Sequence, residues 1–186
     1  MAIRKLLFVD TNIWLDFYRA RTEISLELLA DIEKVSKEII VTYQLETEFK
    51  KNRQTAILEG LKELNPPTQI PRLGIFSDAK ATGKVTRGLK TIEKNVRTLQ
   101  ARLRRALVDP SRNDPVYKAC QRIFHKDDEI TLTHEMKVRN TIRHLAFRRF
   151  LHGCPPRKKN DTSLGDAINW EWMIHCANAH RRNSLS

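Results

Sequence analysis

The chain has 186 residues, 40% hydrophobic and 30% charged, which suits one domain with a buried core and excludes collagen-like, mucin-like and wholly disordered polymers. Lys and Arg number 34 against 22 Asp and Glu, and the resulting net charge of +12 favours a polyanionic partner, nucleic acid ahead of an anionic membrane surface. No apolar run approaches a membrane span, and Cys120, Cys154 and Cys176 are far apart without CxxC spacing, so a cytoplasmic protein without structural zinc is expected.

Lys5 to Asp10, KLLFVD, is an apolar run ending in a carboxylate, the pattern of a central strand buried on both faces of a parallel sheet. Thr11 and Asn12 are suited to cap a helix running to about Arg19, and a second helix follows with Ile24, Leu28, Ile32 and Val35 along one face. Glu38 to Thr42, EIIVT, reads as a second strand. Thr42 then caps a helix carrying Leu45, Phe49, Ile57, Leu61 and Leu64, until NPPTQIPRLG stops it. Helices alternating with apolar strands indicate α/β winding.

From Lys84 to Leu107 the residues Val85, Leu89, Ile92, Val96, Leu99, Leu103 and Ala106 recur at alternating spacings of four and three, the seam of a long packed helix. Its other faces are basic, with Lys84, Arg87, Lys90, Lys94, Arg97, Arg102, Arg104 and Arg105, and Asp109-Pro110 ends it. A shorter helix around Val116 to Phe124 precedes one from about Thr133 to Leu151, again basic through Lys137, Arg139, Arg143, Arg148 and Arg149, with Gly153 as its C-cap. The region at about 66–152 therefore reads as a mostly helical, basic insertion, its charge forming either a solvated face or a nucleic-acid groove. After the loop PPRKKNDTS comes a last helix, LGDAINWEWMIHCANA, with Ala167, Ile168, Trp170, Met173 and Ile174 available for packing. Trp14, Trp170 and Trp172 all read as packing residues rather than base-stacking platforms.

Four carboxylates stand where chemistry is expected. Asp10 ends the first strand, Glu48 lies in the helix after the second, and Asp161 and Asp166 lie at the entrance to the last helix. In a parallel sheet these positions converge outside the carboxyl ends of the strands. Gathered carboxylates repel one another unless a cation sits among them, and hard oxygen ligands suit Mg²⁺ or Mn²⁺. An acidic pocket in a basic protein is the charge pattern of a metal-dependent nuclease. Walker, GxSxG and HExxH motifs are missing from the sequence.

The segments FVDTNIWLD at 8–16, VTYQLETEFKKNR at 41–53, RRFLHGCPPRKK at 148–159 and NDTSLGDAINWEW at 160–172 resemble the PIN domain family, in particular its branch with a long helical insertion. The resemblance implies a PIN-like α/β/α fold over residues 1–186 and a divalent-metal-dependent ribonuclease leaving 5′ phosphate and 3′ hydroxyl ends. Asp10 matches the first acid of the family pattern, braced by Asn12 or Thr11; its alternative is a helix cap. Glu48 precedes Phe49 as the family's acid precedes an apolar residue, and is preferred to Glu46 because residues two apart on a helix face different ways. Asp166 follows Gly165 as in the family's GD pair. Asp161 reads as a ligand, as an acid behind the ligands, or as a turn residue. Arg157, Lys158 and Lys159, with Arg148 and Arg149, are candidates for holding phosphates.

Family members continue past the last helix into a strand ending in a further acid, whereas here HRRNSLS follows. The resemblance therefore implies a reduced sheet whose open edge invites a protein partner or a second copy. RNA is the expected substrate, with single-stranded DNA as the alternative polymer and a toxin-like or phage-defence role as the setting. The competing reading is a catalytically inactive, truncated PIN-like RNA-binding module, or a toxin-like protein that needs a partner.

Overall fold

The computed structural model describes residues 5–19, 26–66, 75, 80–156 and 163–183. Three parallel strands form the sheet in the order β1 (Leu7–Phe8), β2 (Ile39–Thr42) and β3 (Thr131–Leu132), with Leu7 opposite Ile39 and Val41 opposite Thr131. Among the described residues the first strand is thus an edge, not the centre. The centre is β2, whose four residues are all buried, whereas Leu7 on β1 is exposed. An apolar run does not show how many neighbours a strand has or, as Leu7 here shows, that both its faces are covered.

The alternation of β2 side chains separates two cores. Ile39 and Val41 join Trp14, Leu29, Ile32, Phe49, Ile57, Ile123 and Phe124 on one side. Ile40 joins Ile130, Leu132, Ile142, Ala146, Ile168 and Trp172 on the other. Helices α1 (Thr11–Asp16), α2 (Leu26–Lys34), α3 (Tyr43–Glu63) and α6 (Pro115–Phe124) feed the first core; α7 (Val138–Leu151) and α8 (Gly165–Asn183) feed the second. The architecture is α/β/α, as expected of the sequence.

Local chemistry sets most boundaries. Thr42 caps α3 by accepting from Leu45 N at 3.0 Å, and its hydroxyl donates to Asn169 Oδ1 at 2.5 Å, tying β2 to α8. Gly153, at φ 65°, closes α7 in a left-handed conformation that costs glycine nothing. Helix α2 buries Leu29 and Ile32, while Leu28 and Val35 are exposed, so its inward face differs from the expected one. Ile24 lies outside the described residues.

The segment expected as an insertion at about 66–152 is not separable from the layers, because it supplies β3, α6 and α7. What does stand apart is most of α4 (Lys80–Val108). Its only buried residue is Ala106, and Val85, Ile92 and Leu99 of the expected seam are exposed. The helix is anchored near its end, where Gln100 Nε2 donates to Leu64 O at 2.6 Å. A heptad seam marks a face able to pack, and here the chain's own core takes up only the last turns of it.

A buried polar cluster fastens this region to the core. Arg53 of α3 donates from Nε and Nη2 to Asp114 Oδ2 at 2.9 and 2.6 Å, and Nη2 also donates to Ala106 O at 2.5 Å. Tyr18 Oη donates to the same Asp114 oxygen at 2.8 Å, and Asp114 Oδ1 caps α6 through Tyr117 N at 2.9 Å. Asp114 sits between two short helices, α5 (Pro110–Asn113) and α6, in a stretch whose proline-rich sequence reads only as turns. Burial, with Asp114 alongside, holds the Tyr18 phenol well above its usual range, so it remains a donor.

Candidate active site

Asp10 follows β1 and serves as the N-cap of α1: its Oδ1 accepts from Asn12 N at 2.8 Å and from Asn12 Nδ2 at 3.0 Å. The cap is therefore Asp10 itself rather than Thr11 or Asn12. Among the described residues, Asp10 Oδ2 receives no hydrogen bond, and the residue is exposed. Capping uses one oxygen and leaves the other for a further ligand.

Glu48 lies two turns into α3 and meets both other segments. Thr11 Oγ1 donates to its Oε2 at 3.1 Å, and Gln44 Nε2 donates to its Oε1 at 2.9 Å. The first turn of α8 lies against the same carboxylate. A Cβ added to Gly165 would fall 2.7 Å from Gln44 Nε2 and nearer still to Glu48 Oε1, so any larger residue there would push the Glu48 and Gln44 side chains aside. Asp166 is the next residue, in the first turn of α8 and partly buried. The positive end of that helix eases the repulsion between neighbouring carboxylates. Glu46 faces elsewhere, pairing with Lys50 Nζ at 2.5 Å and His125 Nε2 at 2.8 Å.

The segments that carry three of the expected acids thus meet, Thr11 bonding Glu48 and Gly165 lying against it. Asp161 lies outside the described residues, as do Arg157, Lys158 and Lys159. By the chemistry of its donors, all carboxylate oxygen, this set suits a hard divalent cation. Among the described residues no group of three or more His, Cys, Asp or Glu side chains is close enough to hold an ion.

A cleft of about 410 Å³ runs along the carboxyl ends of β2 and β3, lined in part by Thr42, Tyr43, Glu46, His125 and His134. Tyr43 and His134 lie ring to ring at 4.3 Å. Burial raises the Tyr43 phenol above its usual range, against a lowering by Arg143 and Arg139 of α7. Of the expected phosphate-binding residues in α7, Arg148 is exposed. Arg149 is instead committed to structure: its Nε donates to Glu171 Oε1 at 2.5 Å and its Nη1 to Pro155 O at 3.0 Å, joining α7 to α8.

Sequence reasoning missed Gln44, whose amide steers Glu48, and it passed over Asn169, which bonds Thr42. The signal for Gln44 was its position one turn before Glu48. Nothing local marks Asn169, because its partner is 127 residues away. No helix among the described residues is long and apolar enough to cross a membrane. The family model described as PIN domain matches residues 7–185 of the chain. No curated protein and no solved structure matches it significantly.

Proposed function

The chain belongs to the PIN domain family, a family of nuclease type, and from that premise we propose that it is a divalent-metal-dependent endoribonuclease acting through Asp10, Glu48 and Asp166, with Asp161 as a fourth acid. The observation that carries the reading is the convergence of Thr11, Glu48 and Gly165, which draws the segments bearing the three acids to one edge of the sheet. Mg²⁺ or Mn²⁺ held there by Asp10, Glu48 and Asp166 would supply an activated water and neutralise charge on the phosphate.

The side chains have distinct tasks. Asn12 fixes Asp10 Oδ1 with two hydrogen bonds, so that Oδ2 is presented outward. Thr11 and Gln44 hold one Glu48 oxygen each, which keeps the carboxylate from swinging onto Lys or Arg side chains of this basic protein. Asp166 extends the set along α8. Arg148, with Arg157, Lys158 and Lys159 from the sequence ahead of α8, binds phosphates flanking the scissile one, and this contact carries affinity rather than sequence preference. The exposed Leu7 on the outer strand supports pairing of that edge with a partner chain or a second copy.

A second reading, an inactive RNA-binding module, is favoured by the absence of a closed three-ligand cluster among the described residues. The deciding experiment is cleavage of end-labelled single-stranded RNA, structured RNA and single-stranded DNA with Mn²⁺, Mg²⁺ or EDTA, beside Asp10→Asn and Asp166→Asn. Asparagine caps a helix about as well as aspartate, so Asp10→Asn keeps α1 capped and removes a charged ligand. Ion-dependent cleavage lost in both variants supports the enzyme; tight binding without cleavage under every ion supports the module.

A further inference from the structure

The chain has three tryptophans, and the structure divides them. Trp14 and Trp172 are 0% and 1% exposed, and each indole N–H donates to a backbone carbonyl, Val9 O at 3.3 Å and Ile130 O at 3.0 Å. Trp14 sits edge-on to Phe124, and Trp172 stacks on His175. Trp170 differs: it is 41% exposed, on a helix whose buried face is formed by Ala167, Ile168, Trp172 and Cys176. The expectation that all three pack in the core therefore fails for this one. Among the described residues its indole N–H has no acceptor.

Its place on α8 matters more than its exposure. Trp170 is four residues after Asp166, on the same helix face and about 6 Å further along the axis. The neighbouring Glu171 is clamped to Arg149, so the platform is rigid against α7. A large aromatic ring, partly in water and one turn from a candidate ligand for the reacting phosphate, in a protein of net charge +12, has the make-up of a base-stacking subsite.

We propose that Trp170 stacks on an unpaired nucleobase adjoining the phosphate bound at the acidic edge, and so selects single-stranded over duplex substrate. The inference deepens the nuclease reading and rests on it for the location of the phosphate. A base inside a duplex already has both faces stacked on its neighbours; only an unpaired base can offer one to the indole. The backbone contacts are charge-based and tolerate any sequence, so the ring adds a choice of strand state that charge cannot make.

Because the other two indoles are sealed in the core, tryptophan fluorescence reports on this subsite. The test is titration, with Ca²⁺ in place of the proposed Mg²⁺ or Mn²⁺, of the full chain with a ten-nucleotide oligoadenylate, with an abasic oligomer of the same length, and with a blunt RNA duplex. Quenching by the oligoadenylate alone is expected. Trp170→Ala should weaken its binding about tenfold to a hundredfold, Trp170→Phe should restore most of the affinity, and neither variant should alter binding of the duplex. Equal quenching by the abasic oligomer, or unchanged affinity in Trp170→Ala, overturns the proposal. Reading binding apart from cleavage separates it from the parent reading: stacking without any cleavage in Mg²⁺ or Mn²⁺ refutes the nuclease alone, and cleavage without stacking refutes the subsite alone.

Discussion

Gly165→Ala should lower the proposed RNA cleavage about a hundredfold while leaving the fold almost untouched. The added methyl group would fall 2.7 Å from Gln44 Nε2 and nearer still to Glu48 Oε1, where ordinary contact begins at 3.4 Å. Both obstacles are the ends of flexible side chains, so they give way more readily than backbone, and the Glu48 carboxylate must recede by about 1 Å. A misplacement of that size costs a catalytic arrangement about a hundredfold in rate. Stability has two opposing contributions. Rotating Glu48 loses its bonds from Thr11 and Gln44, each worth about 1 kcal/mol, whereas alanine in place of glycine in a helix returns up to about 1 kcal/mol. The net change is about 1 kcal/mol, a shift of about 2–4 °C in Tm for a chain of this length. Single-turnover cleavage in Mn²⁺ beside a thermal melt by circular dichroism checks both. Full activity with an unshifted Tm would refute a role for Glu48 at this position, and global unfolding would show that Gly165 serves packing rather than chemistry.

Asp114→Ala should be among the costliest substitutions in the chain, because it leaves the Arg53 guanidinium buried without its carboxylate and removes the cap of α6. A loss of about 3–5 kcal/mol is expected in urea denaturation, and a loss under about 1 kcal/mol would show that the pair is solvated. The thiols should react unequally: Cys154 is exposed, Cys120 and Cys176 are buried, so iodoacetamide at pH 8 should add once to the native protein and three times to the denatured one by mass spectrometry. Burial first, then Asp128, moves the Cys176 thiol from 9.0 up to about 12. Between those two pH values the unfolded chain has lost a proton that the folded chain keeps. Stability therefore falls as pH rises across the window, by about 1.4 kcal/mol per pH unit for this group. Cys176→Ala should flatten the alkaline limb of urea midpoints by one proton, and an unchanged slope would rule out this thiol as a contributor.

Features governed by neighbours in the chain were legible in the sequence. The cap at Thr42, the stop at Gly153, the end of α4 before Pro110 and the start of α8 with Asp166 in its first turn all depend on groups within a few residues of one another. The placing of Asp10 after β1, Glu48 in the second turn of α3 and Asp166 in the first turn of α8 follows from the same local signals. Only the tertiary structure decided which strand is central, since β1 and β2 are both apolar and the difference lies in where β3 pairs. It alone separated Trp170 from Trp172: the two stand either side of Glu171, and burial went to the one that bonds Ile130. The same holds for Arg53 with Asp114, 61 residues apart, and for the seam of α4, whose spacing states that a face can pack but not that the core will reach it. Periodicity and capping are short-range physics written into consecutive side chains. Pairing across the fold is settled by which distant surfaces compete best for the same buried space.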